Sequence, residues 1–416
     1  MPRTAWCGSR WTRWRHEYRD RCEGGRCRAP PRRRGWVIGG VGVVGLALVA
    51  AGLLVWAPWG AGEPAATRLD IAGEIATHDP ALVVGDEGED WYVYSTGDVR
   101  VGLGAPQIRR SADGGETWEM VGTAWDAQTR PEWVYEAVPG VENFWAPELY
   151  EHDGTWYLYY AASTFGSNRS VIGLMTSPTL DMDAADYGWT DQGQVWASDP
   201  ATSTYNAIDP GIVEDADGTP WMAFGSFWGG IQMIELEWPS GLAADGTEPT
   251  LLASRNTPTN AIEAPYVVER DGWYYLFVSR DKCCSGVDST YSVAVGRSQS
   301  VTGPYLDSWG NDMRYNGGDE LLSTRGDMIG PGGQSVSHGY LATHFYDGAN
   351  GGAFRLDIRE PGLDGRRLAR RLDPGRGSAT SPDHSRPYAK EHHDHHYPAS
   401  RFPCRSCGPA GVWVVR

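Results

Sequence analysis

Four carboxylic acids stand close to a proline where a short apolar run begins: Asp79, Glu148, Asp209 and Glu263. Hydrolysis of a glycosidic bond needs two carboxyl groups in different states. One is protonated and gives its proton to the leaving oxygen, and the other is ionised and activates water or attacks the sugar. A third acid nearby can raise the pKa of the proton donor by like-charge repulsion and can orient it. Asp79, Asp209 and Glu263 are the predicted set, with Glu148 as a fourth candidate.

These acids fall within a unit that recurs five times between residues 68 and 360. Each copy has an acid or a proline, a short apolar strand, a turn rich in Asp and Gly, and a second strand rich in aromatic residues. The copies begin at His78, Phe144, Asn206, Ile262 and Gly330. The repeat predicts an all-β fold, a five-bladed β-propeller with about four strands in each blade.

The innermost strand of each propeller blade starts near a central channel. Acids that hold equivalent places in different blades would therefore meet in one cavity, although they are far apart in the sequence. The alternative is that each acid only caps its own strand or turn.

The composition favours a carbohydrate ligand and disfavours a nucleic acid. The chain has 20 Trp and 20 Tyr against 8 Phe, so it is rich in rings with polar edges. Such rings can stack on the C–H faces of sugars, although all-β proteins use aromatic residues in any case. The net charge of −17 excludes the basic footprint that nucleic-acid binding needs, so no nucleic-acid partner is expected.

The two ends differ from the repeat region. Residues 1–34 form a basic tail, and residues 35–59 are apolar and long enough to span a bilayer as a helix, with 60–67 as a linker. The apolar segment is predicted to be an N-terminal transmembrane signal anchor or, alternatively, a secretory signal peptide. Both place the 68–360 domain outside the cytoplasm, either secreted or anchored at the cell surface. The 361–416 tail is interpreted as disordered or aberrant.

Seven cysteines are present, but only Cys283 and Cys284 lie in the repeat region. Their spacing fits neither a disulfide framework nor a zinc site. A disulfide between the two neighbours and a pair of free thiols both remain open.

The repeat region resembles the arabinanases of glycoside hydrolase family 43. The similar segments are HDP at 78–80, FWAPE at 144–148, YYAASTFGS at 159–167, NAIDP at 206–210, FGSFWGGI at 224–231, IEAPY at 262–266 and DKCCSGVDSTYSVAVGRS at 281–298. The resemblance implies a five-bladed propeller that cleaves α-1,5-linked arabinan endo-wise. The alternatives are an exo-acting α-L-arabinofuranosidase or β-xylosidase, and a propeller that binds carbohydrate without cutting it.

The resemblance also implies a role for each acid. Asp79 would be the general base, Glu263 the general acid, and Asp209 the residue that tunes the pKa of Glu263. The family inverts configuration, and in inverting enzymes the two carboxyl groups stand about 6.5–9.5 Å apart.

Further site residues follow from the same resemblance. The residues expected to bind arabinan or arabino-oligosaccharides are Asp79, Phe144, Trp145, Gly166, Asn206, Ala207, Ile208, Asp209, Ser226, Phe227 and Trp228. The resemblance places a Ca²⁺ ion in the central channel, held through His344 and water. Taken by itself, His344 would be interpreted as a hydrogen-bonding core residue. A monomer is expected.

The chain departs from the family pattern in three places: Glu148 stands where many members have Asp, the segment from Gly330 to Ser335 lacks a histidine often found there, and the end of the chain differs. Arabinanases usually end with a further strand that closes the ring, and the sequence from Pro361 onward does not resemble it. Whether the last blade is complete therefore stays open at this point.

Overall fold

The computed structural model describes residues 67–360. The predictions for the basic tail at 1–34, the apolar segment at 35–59, nearly all of the linker, and the tail at 361–416 lie outside the described residues. Within 67–360, no helix has the length and apolar character needed to cross a membrane.

The described chain is built almost entirely of antiparallel β-strands, as predicted. The strands are β1 Ala72–Gly73, β2 Ala81–Val83, β3 Trp91–Ser95, β4 Gln107–Ser111, β5 Thr117–Thr123, β6 Phe144–His152, β7 Thr155–Ala162, β8 Ser170–Ser177, β9 Thr190–Ser198, β10 Gly211–Glu214, β11 Pro220–Phe224, β12 Ile231–Glu237, β13 Leu242–Ala243, β14 Thr250–Ala253, β15 Ile262–Arg270, β16 Trp273–Arg280, β17 Ser292–Ser298, β18 Asp319–Leu322, β19 Met328–Ser337, β20 Tyr340–Asp347 and β21 Ala353–Arg359. One short helix, α1, covers Trp133–Ala137, and 3₁₀ turns occur at Gly102–Gly104, Gly286–Asp288, Met313–Tyr315 and Gly348–Asn350.

The strands form five sheets, which are the blades of a propeller. Blade 1 has the order β1-β5-β4-β3-β2, blade 2 has β6-β7-β8-β9, blade 3 has β10-β11-β12 followed by β13 and β14, blade 4 has β15-β16-β17-β18, and blade 5 has β19-β20-β21. Each sequence repeat supplies the two innermost strands of one blade, for example β2 and β3 in blade 1. The predicted fold class is therefore confirmed.

Local turn chemistry explains why the paired strands form hairpins. Asp153–Gly154 joins β6 to β7, and Asp271–Gly272 joins β15 to β16. Both residues of each pair have positive φ, at 48° and 76° in the first turn and 54° and 76° in the second. Two-residue hairpin loops favour this geometry because its twist matches that of the strands, and Asp-Gly adopts it at little cost.

Five hydrophobic clusters fill the five spaces between neighbouring blades. Ile108, Phe144 and Leu158 belong to the cluster between blades 1 and 2, and comparable clusters lie at the other four boundaries. The middle strands are buried on both faces. All five residues of β3 are therefore buried, instead of alternating between buried and exposed. The core is thus a ring of inter-blade layers around the channel.

The N-terminal segment closes the ring. Blade 5 has three strands of its own, and Arg68 forms a bridge with Arg359 at the outer edge of β21. The Leu69 amide donates to the Ile358 carbonyl at 2.8 Å, and the Glu360 amide donates to the Thr67 carbonyl at 2.8 Å. The outer edge of the last blade is therefore paired from the start of the domain, although residues 361–416 do not resemble a closing strand.

Candidate active site

The five inner strands share one backbone feature at the head of the channel. Asp79, Ala146, Asp209, Ala264 and Gly333 have φ values of 50°, 41°, 58°, 49° and 58°. A proline follows the first four. Positive φ is unfavourable for residues other than glycine, and the residue before a proline normally has an extended conformation. The packed blades therefore impose this kink at equivalent points around the channel.

The repeat had suggested that the acids hold equivalent places in their blades, but they do not all do so. Asp79 and Asp209 are themselves the kink residues of blades 1 and 3. Glu263 precedes the kink residue Ala264, and Glu148 follows Ala146 by two residues. Asp79, Asp209 and Glu148 line one cavity with residues from all five blades. The charge of Glu263 acts on both Asp209 and His78. The fold thus gathers the four predicted acids from three different positions relative to the kink.

Asp79 is held in its ionised form. Thr96 Oγ1 donates to Asp79 Oδ2 at 2.7 Å, and His78 Nδ1 lies 2.8 Å from the same oxygen. Burial by itself would raise the pKa of Asp79. The charge of His78 and the hydrogen bonds from His78 and Thr96 outweigh burial and hold the pKa far below its usual value.

Glu263 is shifted in the opposite direction. Ser226 Oγ donates to Glu263 Oε2 at 2.8 Å, and the Tyr291 hydroxyl donates to Oε1 at 2.7 Å. Burial raises the pKa of Glu263, and the nearby Asp79 charge adds to this effect. The two hydrogen bonds oppose the rise because they favour the charged form, but they do not cancel it. Glu263 can therefore keep a proton at a pH where Asp79 has lost its own.

Asp209 connects these two groups. Burial raises the pKa of Asp209 strongly, and the charges of Glu263 and Asp79 raise it further. Asp209 Oδ2 accepts a hydrogen bond from the Ala264 amide at 3.0 Å. Asp209 is therefore linked to Glu263 in two ways, by the effect of the Glu263 charge on its pKa and by its hydrogen bond to the residue that follows Glu263.

Two stacked histidines, His78 and His344, support Asp79. No role for His78 was predicted from the sequence. The rings of His78 and His344 are 3.8 Å apart, and the Tyr346 hydroxyl lies 3.2 Å from His78 Nε2. His344 is fully buried, and its Nδ1 accepts the Asp79 amide at 3.1 Å. His344 Nε2 has no hydrogen-bond partner among the described residues. The HDP segment contains His78, but only the strand pairing of blade 5 brings Tyr346 and His344 to it.

The predicted substrate-binding residues fall into two groups. Gly166 and Trp228 are exposed, and Trp145 and Phe227 are half-buried. Asn206, Ala207, Ile208 and Ser226 are buried. Asn206 Oδ1 accepts from Ser170 Oγ at 2.6 Å, and the Ala207 side chain packs in the core between blades 2 and 3. Ala207 as a whole residue has 0% of its surface exposed, so it offers no surface to a ligand in this structure.

The expectation that Phe144 presents its ring to a sugar is wrong. Phe144 is 0% exposed and packs edge-on against Trp125 and Tyr160. The side chain at the head of β6 turns into the space between blades 1 and 2. Its neighbour Trp145 points to the other face of the strand and is half-buried, because successive side chains of a strand alternate.

Trp228 is held at the surface by a strained turn. Phe227 and Trp228 have φ values of 53° and 29°. The Phe227 amide donates to the Ile262 carbonyl at 2.8 Å, and Asn260 Nδ2 donates to the Trp228 carbonyl at 2.8 Å. These bonds fix the turn against Asn260 and Ile262, the second of which precedes Glu263 in the chain, and Trp228 keeps 41% of its surface exposed.

Cys283 and Cys284 are joined by a disulfide, which settles the alternative that the sequence left open. The pair lies in the segment between β16 and β17, which also carries Tyr291.

The family model of the glycosyl hydrolases family 43 matches residues 73–346. This chain belongs to that family. The match reaches into all five blades, from Gly73 in β1 to Tyr346 in β20. The family 43 propeller is therefore a glycoside hydrolase, and its gathered acids are the candidates for the chemistry.

Individual relatives agree on the fold and the sugar but differ in mode of action. The extracellular endo-α-(1→5)-L-arabinanase 1 of Bacillus subtilis is 39% identical over 76% of this chain and 92% of its own length. The extracellular exo-α-(1→5)-L-arabinofuranosidase ArbA of Cellvibrio japonicus is 37% identical over 71% of this chain and 86% of its own. The solved endo-arabinanase of Bacillus licheniformis is 38% identical, with a TM-score of 0.64, and covers 70% of this chain and 96% of that one.

Proposed function

We propose that this enzyme hydrolyses α-1,5-L-arabinofuranosidic linkages within arabinan and inverts the configuration of the anomeric carbon. The observation that carries the proposal is the cluster of three acids, in which Thr96 and His78 contact Asp79 and favour its ionised form, while the neighbouring Glu263 and Asp209 are both shifted towards the protonated form. The pKa of Asp79 lies far below its usual value, and that of Glu263 lies above it. Acid and base roles divide where the surroundings push two carboxyl pKa values apart.

In this mechanism Asp79 is the general base and Glu263 the general acid. Asp79 takes a proton from a water molecule, whose oxygen attacks the anomeric carbon. Glu263 gives its proton to the departing glycosidic oxygen as the C–O bond breaks. Asp209 tunes and orients Glu263 as its close neighbour, because the two carboxyl groups interact electrostatically and Asp209 accepts a hydrogen bond from the amide of Ala264, the residue after Glu263. Thr96 and His78 hold Asp79 ionised, so the base is ready at the pH where the acid is still protonated.

The substrate is assigned to the open face around these acids. Trp228 is exposed and follows Phe227, whose amide donates to the carbonyl of Ile262 next to Glu263 in the chain; Trp145 is half-buried and precedes the kink residue Ala146, and Gly166 is exposed. Aromatic rings can stack on the C–H faces of arabinose. Several relatives are named for action on arabinan, which supports this choice of sugar.

We also propose that a Ca²⁺ ion is associated with His344. Because His344 Nδ1 accepts from the Asp79 amide, the neutral ring carries its proton on the buried Nε2, which lacks a partner among the described residues and can donate to a water molecule of the calcium shell. Calcium takes about six to eight oxygen ligands, so water would complete its shell. When bound, the ion would supply positive charge near Asp79. Chelation should lower the melting temperature, and His344→Ala should abolish that response; an unchanged melting temperature would exclude the ion.

The enzyme is further proposed to act outside the cytoplasm as a monomer, secreted or anchored through residues 35–59. The names of two relatives as extracellular enzymes support this location. Cell fractionation tests the location, and light scattering of the purified protein tests the monomer.

The decisive experiment is incubation with linear arabinan. Endo cleavage gives a ladder of oligosaccharides from the start, whereas an exo-acting enzyme releases one short product throughout. NMR of the first products reads the anomeric configuration and tests inversion. Asp79→Asn and Glu263→Gln should each lower turnover by about 10²- to 10⁴-fold. Unchanged turnover in Glu263→Gln would contradict the acid assignment, and binding of arabinan without cleavage by the unmodified enzyme would favour a non-catalytic propeller.

A further inference from the structure

One segment of blade 4 contacts the surroundings of both the proposed acid and the proposed base. Residues 281–291 connect β16 to β17. At the end of this segment, Tyr291 donates its hydroxyl to Glu263. At its start, the Cys284 amide donates to the Tyr346 hydroxyl of blade 5 at 2.8 Å. A change in the conformation of this segment would therefore reach both groups.

The disulfide lies against the support of Asp79. The Tyr346 hydroxyl lies 3.6 Å from Cys283 Sγ and 3.2 Å from His78 Nε2, and Cys284 Sγ lies 3.9 Å from the same nitrogen. The Tyr346 hydroxyl directs its proton to Cys283 Sγ. Its oxygen then accepts hydrogen bonds from the Cys284 amide and from His78 Nε2. His78 in turn contacts Asp79 through Nδ1 at 2.8 Å. Three contacts thus connect the disulfide with the base.

The disulfide also restrains an unfavourable backbone. Cys284 has a φ of 59°, in the left-handed region that residues with a Cβ seldom adopt. A bond between neighbouring side chains restricts the backbone between them, and without it Cys284 is free to return to negative φ. That change would turn its amide away from Tyr346. Cys284 is exposed, so a small dithiol can reach the bond.

We propose that the Cys283–Cys284 disulfide is a positioning element for catalysis, which fixes Tyr346 and His78 behind Asp79, and that its reduction lowers turnover. The inference rests on the proposed function, because it takes Asp79 as the base. A dithiol reductant supplies the chemistry. Its two thiols are oxidised to a cyclic disulfide, the bond between Cys283 and Cys284 breaks, and each sulfur gains one electron and one proton.

The test uses the full chain and a soluble arabino-oligosaccharide. The protein is reduced with dithiothreitol, the excess is removed under argon, and kcat and KM are measured before and after reoxidation. Alkylation followed by peptide mass spectrometry confirms which cysteines were reduced. Loss of one positioning hydrogen bond should lower kcat about five- to tenfold. KM should stay within about twofold, because the substrate-binding rings are not involved. Reoxidation should restore kcat.

Two variants separate positioning from other effects. The double variant Cys283→Ala/Cys284→Ala should have a low kcat that no longer responds to reductant, although five other cysteines remain in the chain. Tyr346→Phe, which lacks the linking hydroxyl, should also lose the response. The melting temperature of each form shows that the propeller is intact.

Distinct outcomes separate the two proposals. Full reduction of the pair with an unchanged kcat would overturn this inference alone. A response that persists in the double variant would overturn it as well, because the effect would then come from other cysteines. An oxidised, folded protein that never cleaves arabinan would contradict the proposed function instead, and the inference with it.

Discussion

Removal of the Tyr291 hydroxyl should extend activity to higher pH. In Tyr291→Phe, Glu263 loses the hydrogen bond that its Oε1 accepts at 2.7 Å, while the ring that fills the space is kept. That bond favours the charged carboxylate, so it lowers the pKa of Glu263 against the larger effect of burial. Its loss raises the pKa further. Because a general acid works only when protonated, the alkaline limb of the pH–rate profile should move upward.

The size of the shift follows from the strength of the bond. A hydrogen bond to a charged group contributes about 1.5–3 kcal/mol, and one pKa unit corresponds to about 1.4 kcal/mol. Part of the Glu263 surface remains exposed to solvent, and Ser226 continues to donate a hydrogen bond to Oε2. The lower end of the range applies, and we expect a shift of about one unit.

The assay is the pH dependence of kcat/KM on a soluble arabino-oligosaccharide, which reports the ionisation of the free enzyme. Ser226→Ala removes the other hydrogen bond and should shift the same limb in the same direction. Tyr305→Phe is a matched control, because Tyr305 is also buried in blade 4 but donates to the Val301 carbonyl, away from the acid. It should lower stability and leave the limb in place.

A downward shift in an active, folded Tyr291→Phe enzyme would refute this reasoning. So would an unchanged limb, because Glu263 would then not be the group whose protonation controls the alkaline side. An equal shift in Tyr305→Phe would show that loosening of blade 4, rather than the lost bond, is responsible.

Three further predictions concern other parts of the site. Thr96→Val removes a hydrogen bond that favours ionised Asp79, so the pKa of Asp79 should rise and the acidic limb of kcat/KM should move to higher pH; an unmoved limb would exclude Asp79 as the base. Trp228→Ala should raise KM for arabino-oligosaccharides about three- to tenfold with little change in kcat, since stacking contributes about 0.5–1.5 kcal/mol; an unchanged KM would place the sugar elsewhere. Phe144→Ala should lower the free energy of unfolding by about 3–5 kcal/mol in urea titrations and leave KM of the folded fraction unchanged, because its ring is core.

The repeat was predictable because its signals are local. Alternating aromatic strands and turns such as Asp271–Gly272 favour hairpins by their own backbone preferences, and five copies of one hairpin indicate five blades. The family motifs also selected the three acids. The surroundings of those acids were not predictable from spacing. Thr96, Tyr291 and Tyr346 reach them from other strands and blades, and no neighbour in the sequence indicates such a contact.

Phe144 and Trp145 are neighbours whose surroundings also could not be predicted from the sequence. Both are aromatic and both lie in the FWAPE segment, but adjacent side chains of a strand point to opposite faces, and only the position of blade 1 decides which face is core. The ring closure is a second case. Arg68 pairs with Arg359 because the circular arrangement of the blades brings the two ends of the domain together.

The sequence by itself determined the strands, their hairpins, the number of blades and the acids, since these follow from local preference and repetition. Only the tertiary structure decided how each acid is charged. Asp79 and Asp209 occupy equivalent kinks next to prolines, yet the pKa of one is lowered and that of the other is raised. The difference comes from what packs against them: His78 and Thr96 stabilise one negative charge, while Asp209 is buried beside two other carboxyl groups. A pKa depends on these neighbours in space, and the closed ring of blades supplies them.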